Sequence, residues 1–235
     1  MKAFDFQGGE VLLIDKPLSW TSFDAVNKIK YTVKRLLTTP EGGKVKIKVG
    51  HAGTLDPLAT GLLIICTGKE TKNIDRYQAQ EKEYTGTFCL GATTPCFDLE
   101  KEVDATFPIA HITESRIVQT AVAFTGIQEQ VPPLFSAIKH EGKRAYQLAR
   151  AGKEVELKAR TIEIKEFEIT GIRMPLVDFR IVCTKGTYIR SIARDFGLAL
   201  DSGAHLTALR RIRIGSFSVE KACTIGEFEA LLLSE

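Results

Sequence analysis

The segment Lys48-Val-Gly-His-Ala-Gly-Thr-Leu-Asp-Pro-Leu-Ala-Thr-Gly61 limits what this chain can build more than any other stretch. Small residues and Pro57 surround a single carboxylate, Asp56, and the apolar run Gly61-Leu-Leu-Ile-Ile-Cys66 follows at once. Glycines at positions 50, 53 and 61 permit tight turns and the close approach of another stretch of chain, while Pro57 fixes the backbone after Asp56. Such a loop presents one aspartate rigidly beside a strand. Asp followed by Pro is also a frequent turn opening, so spacing and composition alone make Asp56 a turn residue.

That apolar run and Glu10-Val-Leu-Leu-Ile-Asp15 are short and nearly all apolar, as suits strands buried on both faces. Four further stretches, 84–90, 161–169, 176–183 and 211–219, alternate apolar with polar residues and predict strands with one wetter face. Helical periodicity covers about residues 21–37, 114–125, 187–200 and 225–234, the last opening with the capping box Thr224-Ile-Gly-Glu227. In the third of these, Ile189, Ile192, Ala193, Phe196 and Leu200 form an apolar stripe that turns Arg190 and Arg194 away from the packed side. The pattern predicts an α+β protein with a large, mostly antiparallel sheet and no regular βαβ alternation.

Between about residues 131 and 160 the pattern weakens. Lys139, Lys143, Arg144, Arg150, Lys153, Lys158 and Arg160 outnumber Glu141, Glu154 and Glu156 there, and Pro132-Pro133, Gly142 and Gly152 punctuate the stretch as an insertion. With 235 residues, 44% apolar and 26% charged, the chain suits one globular domain over 1–235. The net charge of +3 is compatible with a polyanionic partner and decides nothing alone.

The N-terminus lacks the apolar core of a signal peptide, and no apolar run approaches the roughly 20 residues that span a bilayer. No membrane association and a cytoplasmic location are the expectation. Cys66, Cys89, Cys96, Cys183 and Cys223 are scattered, with no Cys-x-x-Cys pair and no histidine at metal-ligand spacing, and read as reduced core residues without a metal.

The Asp56 segment resembles the signature loop of the TruB family of pseudouridine synthases. Further stretches resemble that family's motifs in their usual order: Leu13-Ile-Asp-Lys-Pro-Leu-Ser-Trp-Thr-Ser22, Lys82-Glu-Tyr84, Pro133-Leu-Phe-Ser-Ala-Ile-Lys139 with Gly142–Arg150, Lys185-Gly-Thr-Tyr-Ile-Arg190 and Gly203-Ala-His-Leu-Thr-Ala-Leu-Arg-Arg211. The likeness runs from about residue 9 to 225. It implies the pseudouridine synthase fold and isomerisation of uridine to pseudouridine in the T-loop of tRNA, at position 55, with no cofactor.

By that resemblance Asp56 is the catalytic nucleophile. It attacks C1′, or removes the 2′ proton to give a glycal; the sequence leaves both routes open. Arg190 is implied as the cationic partner that favours the ionised carboxylate. Since a base must leave its stack to be modified, an aromatic face is needed to receive it. The family match gives that task to Tyr84, places Tyr188 and Leu209 in the uracil pocket, and has His51 fill the space left by the extruded nucleotide. The basic insertion at about 131–160 resembles the family's thumb, which grips the tRNA stem-loop through phosphates.

Two departures stand out. Thr93-Thr-Pro-Cys-Phe-Asp98 replaces the family's more acidic string, keeping a carboxylate at Asp98 and none at position 94. The chain also ends at Glu235, so no C-terminal PUA-like RNA-binding domain is expected. A monomer without a protein partner is the expectation. Alternatives are a pseudouridine synthase acting on rRNA and a non-catalytic tRNA-binding or folding factor.

Overall fold

The computed structural model describes residues 4–38, 45–136, 138–140, 143–144 and 157–233. In chain order the strands are β1 (Val11–Lys16), β2 (Val49–His51), β3 (Ala59–Thr67), β4 (Lys82–Leu90), β5 (Ala92–Thr93), β6 (Ala105–Thr106) and β7 (Gly126–Gln130). They continue as β8 (Lys139–His140), β9 (Lys143–Arg144), β10 (Arg160–Arg173), β11 (Leu176–Cys183), β12 (Ala204–Ile214), β13 (Phe217–Ser218) and β14 (Cys223–Thr224). The helices are α1 (Ser22–Leu37), α2 (Ile74–Ala79), α3 (Glu114–Ala123), α4 (Ile189–Ala199) and α5 (Ile225–Leu233). The chain divides into two compact units, Met1–Glu83 with Arg210–Glu235, and Tyr84–Leu209.

In the first unit the strands lie in the order β14-β1-β3-β12, with β2 on β3 and β13 on β12. Strand β1 runs antiparallel to β3 and parallel to β14. Helix α1 begins with a full capping box, Thr21 and Asp24 each accepting from the other's backbone N–H. Its apolar side, Ala25, Val26, Ile29 and Val33, packs with Leu12, Ile14, Leu63 and Ile65 of the sheet and with Ile225, Phe228 and Leu232 of α5. Leu62, Ile64 and Cys66, at the alternate positions of β3, form a second cluster with Ala52 and Ile214. Strand β3 is therefore buried along almost its whole length, as its apolar run predicts.

In the second unit the order is β12-β4-β11-β10-β7. Aromatic rings fill its core: Phe88 stacks on Phe179 with centroids 4.1 Å apart, and Phe196 of α4 lies 5.5 Å from both Phe88 and Phe167. Gly86 admits the neighbouring strand, since a Cβ there would lie 2.4 Å from the Ala208 carbonyl oxygen.

The α+β class, the mostly antiparallel sheet and the four helices agree with the sequence pattern. The capping box of α5 is present, with Glu227 accepting from the Thr224 N–H at 2.7 Å. Three expectations are corrected. Strand β1 alternates half-buried and buried residues instead of burying both faces. The expected strand 211–219 is a hairpin: β12 ends at Ile214 and pairs back onto β13 around Gly215 and Ser216, which Gly215 permits with a φ of +52°. Arg190 does not face solvent; it is buried. Of the basic insertion, the strand pair β8–β9 is described, whereas Arg150 and Lys153 lie outside the described residues.

Gly61 is the tightest point of the first unit. Its φ is +102°, and a Cβ would sit 2.3 Å from the Arg211 carbonyl oxygen and 2.9 Å from the Arg211 nitrogen. Gly61→Ala combines an unfavourable φ with a backbone clash and should lower stability by roughly 3 kcal/mol in urea unfolding.

Candidate active site

The Asp56 turn hangs on side chains from outside it. Ser22, the first residue of α1, accepts from the Leu55 N–H at 2.8 Å and donates to the Leu55 carbonyl at 3.1 Å. Arg211 of β12, almost wholly buried, donates to the carbonyls of Leu62 (2.8 Å), Gly53 (3.1 Å) and Thr54 (3.5 Å). Lys16, at the end of β1, is fully buried and donates to the carbonyls of Trp20 (2.6 Å), Pro17 (2.8 Å) and Pro57 (3.4 Å). Of these, the bonds to Gly53, Thr54 and Pro57 satisfy carbonyls of the turn itself, and the others tie the two cations to the flanking chain. Asp56 is half-buried, and its carboxylate attracts Lys16 electrostatically.

Burial pushes the pKa of Lys16 down to about 8, with the nearby Arg211 cation adding to the shift and the Asp56 and Asp24 carboxylates opposing it. His51, at the end of β2, is half-buried. Burial and then the Arg211 cation hold its pKa below the ordinary histidine value, against a hydrogen bond to the Gly53 backbone.

In the second unit, Tyr188 precedes α4 and is fixed by Gln130, whose side chain accepts from the Tyr188 N–H at 2.8 Å and donates to its carbonyl at 3.1 Å. Two residues on, the Arg190 guanidinium donates to the carbonyls of Phe135 (2.9 Å) and Cys96 (3.2 Å) and pairs with the Asp98 carboxylate at 3.5 Å. Both partners of the ion pair are buried. The turn that carries Asp98 is strained at Phe97, with φ +64°, and is braced by the Thr94 hydroxyl donating to the Asp98 carbonyl at 2.6 Å. Thr94 thus contributes a hydroxyl where the family resemblance leads one to look for a carboxylate. Tyr84 on β4 and Leu209 on β12 are both buried.

The first unit offers a carboxylate on a braced turn near a buried ammonium. The second, by itself, offers a buried guanidinium oriented by carbonyls and a carboxylate. A family model described as TruB family pseudouridylate synthase (N terminal domain) matches residues 35–189, and one described as tRNA pseudouridylate synthase B C-terminal domain matches residues 190–235. The chain belongs to the TruB family of pseudouridylate synthases. It is 58% identical to tRNA pseudouridine synthase B of Flavobacterium johnsoniae over 97% of this chain and 98% of that protein. With the protein of the same name from Phocaeicola vulgatus it shares 56% identity over 95% and 93%. Among solved structures, a Cbf5-Nop10-Gar1 complex matches at 30% identity with a TM-score of 0.70, covering 96% of this chain and 54% of that one. An H/ACA RNP bound to a substrate RNA containing 2′-deoxyuridine matches at 27% identity and 0.67, covering 96% and 53%. The chain spans about half the length of those two solved chains. The pseudouridine synthase fold expected from the TruB motifs is thereby established.

Sequence reasoning overlooked Lys16, Ser22 and Arg211 as supports of the Asp56 turn. The signal for Lys16 lay in β1, where it shares the parity of the buried Leu12 and Ile14. Arg211 shares parity with the buried Leu209 in the same way. The titration of Lys16 is measurable. Above about pH 8 the folded protein holds Lys16 neutral, whereas an unfolded lysine keeps its proton up to about 10.5. The unfolded state then binds more protons, so stability rises between pH 8 and 10 relative to a protein without the group. Unfolding free energies at both pH values should show this rise in the wild type minus Lys16→Met difference; no change in that difference would place the Lys16 titration elsewhere.

Proposed function

We propose that this TruB-family chain isomerises uridine to pseudouridine in tRNA, at the T-loop uridine (position 55), with Asp56 as the nucleophile. The observation that carries the reading is near-full-length likeness to proteins named tRNA pseudouridine synthase B, 58% identical over 97% of the chain in one case. The Asp56 turn adds support, since the backbone around Asp56 is held by Ser22 at Leu55, Arg211 at Gly53 and Lys16 at Pro57.

The reaction breaks the N1–C1′ bond of uridine and forms a C5–C1′ bond. N1 gains a proton and C5 loses one, with no net change of oxidation state. Asp56 either forms an ester at C1′ while the uracil turns, or takes the 2′ proton and returns it. We assign Arg190 the role of cationic partner, Tyr84 that of stacking face for the extruded base, and Tyr188 and Leu209 those of uracil-pocket walls. His51 fills the gap left in the RNA. The basic insertion at about 131–160 would grip the stem-loop by its phosphates. A cytoplasmic monomer acting without a protein partner completes the proposal. No helix among the described residues is long and apolar enough to cross a membrane.

Tritium release from unmodified tRNA carrying 5-³H-uridine tests the reading. The wild type should release the label, and Asp56→Asn should lower the rate at least about 10⁴-fold. Undiminished release by the variant would overturn the assignment of Asp56. Tight tRNA binding without release by the wild type would favour the non-catalytic factor.

A further inference from the structure

Helix α1 turns a second face to solvent, and the core does not use it. At 3.6 residues per turn, Phe23, Asn27, Lys30, Tyr31 and Lys34 fall within an arc of about 100°. Phe23 is 65% exposed and Tyr31 63%, while the opposite side of the helix completes the core with Ala25, Val26, Ile29 and Val33. Beside the helix, Lys46 and Lys48 are exposed on either side of Ile47, which is buried in the same cluster.

Lys30, Lys34, Lys46 and Lys48 form no ion pair among the described residues. Asp24 borders this arc and accepts from the Thr21 N–H and hydroxyl, while Lys28, further round the helix, pairs with Glu229 at 2.8 Å. The face is therefore cationic, with two aromatic rings about 12 Å apart along it.

Its position relates it to the chemistry. Ser22, next to Phe23, is bonded through both backbone groups of Leu55, the residue before Asp56. An RNA that delivers a uridine to Asp56 brings its flanking nucleotides within reach of a helix about 24 Å long.

Resting on the reading of Asp56 above, we propose that this face of α1 docks the substrate tRNA, with Lys30, Lys34, Lys46 and Lys48 on phosphates and Phe23 and Tyr31 on exposed bases or sugars. Uncompensated lysines with interleaved aromatics match a polyanion that also offers flat rings. A second copy of the chain fits poorly, because it would set lysines against lysines.

Filter binding of an unmodified tRNA transcript over a salt series tests the proposal on the full chain. Lys30→Glu/Lys34→Glu should raise Kd at least about tenfold, and Lys30→Gln/Lys34→Gln should make the slope of log Kd against log salt shallower by about 2. Phe23→Ala/Tyr31→Ala should raise Kd several-fold and leave that slope unchanged. Thermal unfolding of each variant close to wild type would tie these effects to the surface. Wild-type affinity in all three variants would overturn the proposal. So would altered self-association in sedimentation with tRNA affinity intact, since that outcome assigns the face to a second copy. Tritium release by the wild type reports separately on the proposed reaction, and the affinities decide the surface whichever way that assay falls.

Discussion

Two buried cations hold the turn that carries Asp56. Removing an ammonium or a guanidinium from water costs several kcal/mol unless polar partners replace the solvent, and here backbone carbonyls do so. Lys16 gathers the carbonyls of Pro17, Trp20 and Pro57, and Arg211 those of Leu62, Gly53 and Thr54. The turn is fixed from outside, by β1 and β12, because its glycines and proline give it little ladder of its own. The local electrostatics follow: burial, with the Arg211 cation adding to it, lowers the pKa of His51, and the Asp56 carboxylate meets a lysine whose own charge is weakly held.

The second unit applies the same device to a different group. Arg190 sits at the start of α4, where an amphipathic helix reading would send it to solvent. Instead it enters the core and takes the carbonyls of Cys96 and Phe135 together with the Asp98 carboxylate. A buried pair of this kind contributes little net stability against an apolar replacement, whereas losing one member leaves an uncompensated charge. Two carbonyls and a carboxylate fix the direction of the guanidinium. The strained Phe97 turn is consistent with that, because strain persists only where surroundings enforce it.

Much of the fold was legible. Apolar runs and alternation located the long strands, and periodicity with capping residues located α1, α3, α4 and α5, because burial on one face imposes those periods. The hairpin at Gly215 was missed because alternation continues through a two-residue turn, leaving the glycine as the sole sign. The supports of the Asp56 turn were missed for a related reason. Lysine and arginine read as surface residues; strand parity marked both positions as inward, but the distant carbonyls that receive them, Pro57 for Lys16 and Gly53, Thr54 and Leu62 for Arg211, are not adjacent in the sequence. The proposed role of Asp56 rests on family likeness alone, since Asp-Pro in isolation describes an ordinary turn.

The contact between Gly61 and Arg211 carries a further meaning. The backbone of Arg211 lies against the α-carbon of Gly61, while its side chain reaches back to the carbonyl of Leu62 and to the turn ahead of Asp56. One residue thus demands glycine at a position far away in the sequence and at the same time supports the loop to which that glycine belongs. The signature loop and the Arg210-Arg211 strand form a single mechanical part encoded in two places. In descent they are expected to drift together or not at all, and a chimera that exchanges one without the other would inherit a loop without its brace.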